Sequence, residues 1–237
     1  MNENTNAILD DKFKKLLLSR QLLSVFLLDF NICGNCKHVY KNKHGASSCP
    51  SCHTKITNKL GYPSFTIPNI INLIQDHYRM EPCRENINGD KIIDKKESRH
   101  NYGIIILFCT FVECWMDYFI NYLLKTRKTP DEIIDRLLSD NWRLDDRKGK
   151  LFKTLTGESF GDALKNITEI NKKKGGNLDY MKIWDTVQDT IKKRNDIIHK
   201  GGFGKYDESF IAHCINNING VNNLFIALHN RYIAKQP

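Results

Sequence analysis

The sequence predicts an all-α helical bundle that carries a small cysteine-rich β module near its N-terminus. Apolar residues recur at spacings of three and four over most of the 237 residues, and a stretch with paired cysteines interrupts that pattern once. No other segment of useful length alternates as a strand does. We divide the chain into an N-terminal helix (1–30), the cysteine module (31–56) and a helical bundle (57–237).

The cysteine module contains two Cys-x-x-Cys pairs separated by 12 residues, Cys33 with Cys36 and Cys49 with Cys52. Each pair brings two thiolates to one tight turn, and two such turns complete a tetrahedron around one zinc ion. Four thiolates select zinc over harder divalent ions, and the closed shell leaves no position for catalytic water. We therefore expect a structural Zn²⁺ site. His38 and His53 follow the two pairs and are alternative ligands.

The module resembles a zinc ribbon, a small pair of β-hairpins that contacts nucleic acid or protein. The resemblance covers only residues 31–55. Four lysines of the module favour a polyanionic partner, although lysines also serve simply as a solvated face: Lys37, Lys41, Lys43 and Lys55. The net charge of +9 points in the same direction.

The remaining segments follow helical periodicity. We predict helices over 6–30, 70–78, 98–125, 129–139, 178–200 and 207–232, and a broken helix over 147–174. Gly61, Pro63 and Pro68 break the chain before the second of these helices. Residues 85–96 are polar and include an Asn-Gly pair, which predicts a loop.

The segment 104–124 is apolar enough to raise the question of a membrane span. It contains Glu113, Asp117 and Asn121, and an Asp at mid-bilayer costs about 2.5–3.5 kcal/mol, so we predict a buried core helix and no membrane. The stretch 13–30 is preceded by two acids and interrupted by Arg20, which is unlike a signal peptide. We expect a reducing cytoplasmic location, where cysteines serve as metal ligands or core residues.

Polar residues of this core helix form one stripe. Glu113, Asp117 and Asn121 are spaced by four residues, and a water-facing stripe explains Asp117 and Asn121. Glu113 lies within a nearly continuous apolar run. A lone carboxylate there is expected to be paired or to line a cleft.

The end of the helix predicted over 178–200 carries a second polar group. Arg194 follows Ile191 by three residues, Asn195 follows it by four, and His199 lies one further turn along. Capping of the last helical carbonyls is one explanation of these residues. A chemical site beside the apolar face of the helix is the other.

The sequence RNDIIH resembles the R-x4-H signature, in its R-N-x-x-x-H form, of HEPN domains. These are all-α bundles, many of them metal-independent endoribonucleases of toxin–antitoxin, phage-defence and CRISPR systems. The resemblance extends to the layout, because the motif ends a long helix, glycines and a final helix follow, and an apolar helix with an internal acid precedes it. It covers roughly residues 98–232. The subgroup paired with nucleotidyltransferase antitoxins carries Tyr two residues after the His, where this chain has Gly201, so we do not assign the chain to that subgroup.

The resemblance implies a chemistry for each motif residue. His199 would act as general acid or base on the ribose 2′-OH and the leaving 5′-oxygen, and Arg194 would clamp the scissile phosphate. Asn195 would orient the histidine or bind phosphate, and Glu113 would hold Arg194 or His199 in place. The expected products are a 2′,3′-cyclic phosphate and a 5′-hydroxyl.

The resemblance also implies partners. The substrate would be RNA, the cleft would form between the two protomers of a homodimer, and an antitoxin or another defence protein would regulate the enzyme. Two rival classes stay open: a non-catalytic HEPN-like subunit that uses the zinc ribbon for recognition, and a zinc hydrolase, which the closed four-thiolate shell disfavours.

Overall fold

The structure is a computed structural model, and it describes residues 30–41, 47–56, 60–61, 66–79, 84–87, 91–94, 96–200 and 208–234. The helix predicted for residues 1–30 lies outside the described residues, apart from Phe30. Helices dominate the described part, and short strands accompany the cysteine module. The prediction of a mostly helical chain with a small β module near the N-terminus is therefore confirmed.

The β module is a three-stranded antiparallel sheet. Its strands are β1 (Phe30–Ile32), β2 (Val39–Lys41) and β3 (Leu60–Gly61), in the order β2-β1-β3. In the register, Ile32 lies opposite Val39 on β2 and opposite Leu60 on β3. An isolated antiparallel bridge joins Ser48 to Lys55.

The rest of the described chain is built mainly from helices. In chain order the elements are α1 (Thr66–Arg79), β4 (Arg84–Ile87), β5 (Lys91–Asp94), α2 (Lys96–Thr126), α3 (Asp131–Asp140), α4 (Leu144–Asp146), a π-helical turn (Arg147–Leu151), α5 (Phe152–Thr156), α6 (Phe160–Lys173), α7 (Tyr180–Lys200) and α8 (Glu208–Tyr232).

The core is organised around α2, which packs against α1, α7 and α8. Its residues Phe111, Trp115 and Phe119 are fully buried and are spaced by four, as one face of a helix requires. Trp115 stacks on Phe225 with ring centroids 5.5 Å apart, and its Nε1–H donates to Asn222 Oδ1 at 2.8 Å. Such a pair contributes about 0.5–1.5 kcal/mol beyond burial, so it fixes α8 against α2.

Contacts along the helices define their directions. Trp115 contacts Asn222 and Tyr122 contacts His229, so α2 and α8 run parallel. In contrast, Thr190 contacts Cys214, whereas Ile183, seven residues earlier, accepts a hydrogen bond from Asn217. Therefore α7 runs antiparallel to α8, and also to α2.

In the part of the chain that the structure describes, one helical segment, Tyr102–Thr126 of α2, is long and apolar enough to cross a membrane by length and composition alone. Within its most apolar window, 56% of the helix is buried inside the protein. Its burial against three neighbouring helices agrees with the predicted core helix.

The prediction of a loop over 85–96 is wrong. The residues on either side of the Asn88-Gly89 pair form the antiparallel hairpin of β4 and β5, with Ile87 opposite Lys91. Strands of four residues are too short for a convincing alternation in the sequence, which is why the polar composition predicted a loop.

Two helix boundaries also differ from prediction. Helix α1 begins at Thr66, so Pro68 lies inside its first turn, where the missing N–H removes no intrahelical bond. Helix α3 begins at Asp131, two residues after the predicted start, and has Pro130 at its N-cap position.

The broken helix predicted over 147–174 is confirmed in outline. The chain passes from α4 through the π-helical turn into α5, and α6 begins after Gly157, whose φ of 84° ends α5. Within the π-helical turn, Arg147 and Leu151 are buried.

Candidate functional sites

The two Cys-x-x-Cys turns have the same backbone geometry. The amide of Lys37 donates to the carbonyl of Cys33, and the amide of His53 donates to the carbonyl of Cys49, each at 3.0 Å. Lys37 (φ 61°) and His53 (φ 56°) both take the left-handed conformation, which non-glycine residues adopt only at some cost. This repeated turn aims each pair of sulphurs toward the other pair.

The four cysteines of the module lie close enough together to bind one metal ion. All four Sγ atoms are within 4.8 Å of one another, and the Cys33–Cys52 and Cys36–Cys49 separations are both 3.7 Å. A tetrahedral ion with metal–sulphur bonds of about 2.3 Å places its ligands about 3.8 Å apart, so the spacing is consistent with zinc. The cluster found among the described residues includes neither His38 nor His53.

The pKa values of these thiols indicate where a bound cation would be needed. Burial raises the pKa of Cys36 to about 12 and also raises that of Cys49. Hydrogen bonds with Thr54 instead lower the pKa of Cys52 to about 6. Because a metal binds thiolates, an ion at the centre of the cluster would supply the positive charge that the buried thiolates need.

The cysteine module is attached to the end of α8. Asn230 Oδ1 accepts from the amide of Val39 at 2.7 Å, and Asn230 Nδ2 donates to the carbonyl of Val39 at 2.8 Å. His229 Nε2 donates to the carbonyl of Lys37, which is an acceptor only, at 2.8 Å. Sequence reasoning missed both contacts, because about 190 residues separate the partners and no local pattern signals them.

The predicted pairing of Glu113 is present. Arg194 on α7 donates from a terminal nitrogen to Glu113 Oε1 on α2 at 3.0 Å. The two side chains are 24% and 32% exposed, so the pair lies at the edge of the core.

A second ion pair lies one turn along α2. Asp117 pairs with Arg147, which the π-helical turn buries against α2. The predicted water-facing position of Asp117 is only partly right, since its side chain is 42% exposed. Burial raises the pKa of the Asp117 carboxyl, and Arg147 opposes that rise. Sequence reasoning did not single out Arg147.

The other motif residues are on the outside of α7. Asn195 and His199 are both exposed, and their spacing of four places them on one side of the helix. Arg194 and His199 are five residues apart, which separates them by about 140° around the helix and about 7.5 Å along it. Within one copy of the chain, the arginine and the histidine therefore diverge.

No protein-family model matches this chain. No curated protein and no solved structure matches it either. The thiolate cluster and the Arg194 motif are the features on which a function can be proposed.

Proposed function

We propose that this chain is a metal-independent endoribonuclease of the HEPN type, in which Arg194 and His199 carry out the reaction. One observation supports the proposal most directly. The R-x4-H motif lies at the end of a core helix, its histidine is exposed, and its arginine is anchored by Glu113 from the neighbouring helix. Exposure gives His199 access to a substrate, while anchoring limits the rotamers of Arg194.

The residues suit cleavage by the substrate's own 2′-OH. His199 would take the proton of the 2′-OH or give one to the leaving 5′-oxygen. Arg194 would stabilise the charge that develops on the scissile phosphate. Asn195 would orient His199 or bind phosphate. The reaction leaves a 2′,3′-cyclic phosphate and a 5′-hydroxyl.

A homodimer would bring divergent motif residues together. Arg194 of one copy and His199 of another can face one cleft when α7 packs against its own symmetry mate. Two exposed apolar side chains support an interface here, Ile198 (53% exposed) and Ile106 (40% exposed). Because α2 and α7 are antiparallel, both lie beyond the Glu113–Arg194 pair toward the same end of the bundle.

The four-thiolate cluster would bind structural zinc. A shell filled by Cys33, Cys36, Cys49 and Cys52 has no open coordination position, so the ion would not activate water. The cysteine module then serves recognition or stability, and the chemistry belongs to α7. We place such an enzyme in the cytoplasm, in a defence or toxin–antitoxin setting with a regulating protein partner.

The test is cleavage of RNA in EDTA, at a concentration that leaves bound zinc in place as checked by native mass spectrometry. The wild-type protein should produce 2′,3′-cyclic phosphate ends. His199→Ala and Arg194→Ala should each lower the rate by about 10²–10⁴-fold, the range of general acid–base catalysis. His213→Ala is the matched control, because His213 is an exposed histidine on α8.

Two outcomes would overturn the enzyme proposal. Equal cleavage by wild type and His199→Ala would identify a contaminant or another site. RNA binding without cleavage, under every activating condition tested, would favour the non-catalytic recognition subunit.

A further inference from the structure

A cleft of about 400 Å³ lies between the cysteine module and the helical bundle. His38 and Ser51 of the module form one wall, and the end of α6, the start of α7 and the end of α8 form the others. A volume of this size is at the lower end of the range for small-molecule sites. The cleft is separate from the Arg194 motif, because no residue of that motif lines it.

The floor of the cleft is apolar. It contains Ile167, Ile170, Ile226 and Ala227, and Ile170 is 40% exposed. An exposed isoleucine beside other aliphatic side chains offers an apolar surface. Such a surface can cover the face of a nucleobase.

The rim of the cleft is polar and cationic. Lys174 caps the C-terminus of α6, directly after Lys172 and Lys173 in the last turn of that helix. Arg231 also lines the cleft, but Glu158 pairs with it at 2.8 Å, so its charge is already partly neutralised. None of the described residues that line the cleft is an acid. The rim therefore favours an anion.

An apolar floor beneath a cationic rim matches a nucleotide, which has a flat base and a phosphate. We propose that this cleft binds one nucleotide unit of single-stranded RNA, and thereby helps to recruit the substrate. The proposal rests on the proposed function, in which RNA is the substrate. Proteins bind single strands with a positive groove along the backbone and aromatic side chains under the bases; in this cleft aliphatic side chains would cover the base instead.

The distance to the Arg194 motif sets a length requirement. Tyr180 lines the cleft at the start of α7, and Arg194 lies 14 residues further along the same helix. That spacing is about 21 Å at 1.5 Å per residue. It equals about six stacked nucleotides at 3.4 Å each, so only longer RNA can contact both regions.

The experiment measures binding in a His199→Ala background, so that no turnover is needed. The probe is a labelled single-stranded RNA of about 12 nucleotides, within the usual site sizes of single-strand binders, and fluorescence anisotropy is recorded over a series of salt concentrations. Lys174→Gln should weaken binding several-fold and lower the slope of log K against log salt by about 0.7, the value for one phosphate contact in a single strand. Ile170→Ser should weaken binding without changing the slope.

Lys165→Gln is the matched control. Lys165 is an exposed lysine on α6, nine residues before Lys174 and therefore on the opposite side of the helix. The Lys165→Gln variant loses one positive charge, as Lys174→Gln does. Its affinity for the RNA and its salt slope should equal those of the His199→Ala parent. Equal effects of Lys165→Gln and Lys174→Gln would overturn the proposal, because general charge would then explain both.

A second arm separates RNA from free nucleotides. Nucleoside monophosphates should compete with the RNA only weakly, because a monophosphate makes the contacts of a single nucleotide and the RNA makes those of several. If a monophosphate binds as tightly as the RNA, the cleft is a free-nucleotide site and the RNA assignment fails.

The two proposals fail separately in this design. If RNA binding depends on Lys174 but the wild-type protein does not cleave RNA, only the enzyme proposal is overturned. If the wild-type protein cleaves RNA but neither Lys174→Gln nor Ile170→Ser changes RNA binding, only the proposal for the cleft is overturned.

Discussion

The imidazole of His229 is fully buried at the junction of α8 and the cysteine module. Burial lowers its pKa to about 4, and this effect outweighs the hydrogen bond to the carbonyl of Lys37. An unfolded histidine has a pKa of about 6.5. The ring is therefore neutral in the folded protein near pH 7 and resists protonation until the pH is much lower.

This pKa difference predicts acid sensitivity. Between about pH 6.5 and pH 4 the unfolded chain binds a proton that folded His229 does not, so stability is fully present above 6.5 and is lost as the pH falls toward 4. When the pH falls from 7 to 5, His229 should lower the free energy of unfolding by about 2 kcal/mol. Urea unfolding at both pH values should show a smaller loss for His229→Gln than for wild type.

The control for this prediction is His213→Gln, which changes an exposed histidine of the same helix. It should keep the wild-type pH dependence. If wild type and His229→Gln lose the same free energy of unfolding between the two pH values, His229 is not the responsible group.

Residues were predictable where a local pattern encodes them. The spacing of the four cysteines predicted their cluster, and the isolation of Glu113 in an apolar run predicted either an ion partner or a cleft, of which the structure shows the partner. His229 and Asn230 were not predictable, because their partners lie near the other end of the chain. Their chemistry depends on which helix end the cysteine module meets, and only the fold determines that.

Among the elements, helical periodicity predicted the long helices α2, α7 and α8 to within about two residues at each end. The same reasoning missed the hairpin of β4 and β5, since each strand has only four residues. It also missed the π-helical turn at Arg147–Leu151. That turn holds the buried Arg147 beside Asp117, and this contact joins elements that are distant in sequence.

Two helical glycines should respond in opposite directions to alanine. A Cβ at Gly149, an exposed position of the π-helical turn, meets nothing within 4 Å, so Gly149→Ala should raise the free energy of unfolding by about 0.5–1 kcal/mol. A Cβ at Gly103 on α2 would come within 2.8 Å of the His77 ring. Gly103→Ala should therefore lower stability, by about 1–3 kcal/mol.

Chemical denaturation of both variants measures this contrast. A loss of stability in Gly149→Ala would mean that the π-helical turn needs the flexibility of glycine. A gain in Gly103→Ala would mean that α1 moves away from α2 at little cost.

At the scale of the whole molecule, the cysteine module has a small core of its own. Cys33, Cys36, Tyr40 and Cys49 form this cluster, while Ile32 and Val39 join the main core. The main core otherwise consists of the helices. Metal should therefore stabilise the module directly and the bundle only through the contacts between them.

Substitution of the cysteine ligands should disrupt the cysteine module and leave the helical bundle folded. We expect the Cys33→Ser/Cys49→Ser protein to lose its metal, by native mass spectrometry, and to lose ordered structure in the module, by amide hydrogen exchange at Val39 and Tyr40. Its far-UV circular dichroism should keep most of the helical signal. Cys114→Ser is the control, since Cys114 is outside the cluster and should leave the metal content unchanged.

A loss of the helical signal together with the metal would show that the bundle cannot fold without the module. Retention of metal by the double variant would show that the four cysteines are not its ligands.

The bond between Asn230 and Val39 also decides what β2 can do. β2 is an outer strand of its sheet, and an outer strand with open N–H and C=O groups is a template on which another chain can add a strand. Here a side-chain amide satisfies both outward groups of Val39. The helix thus terminates the sheet at this position, and any protein that recognises the module must do so without extending β2 through Val39.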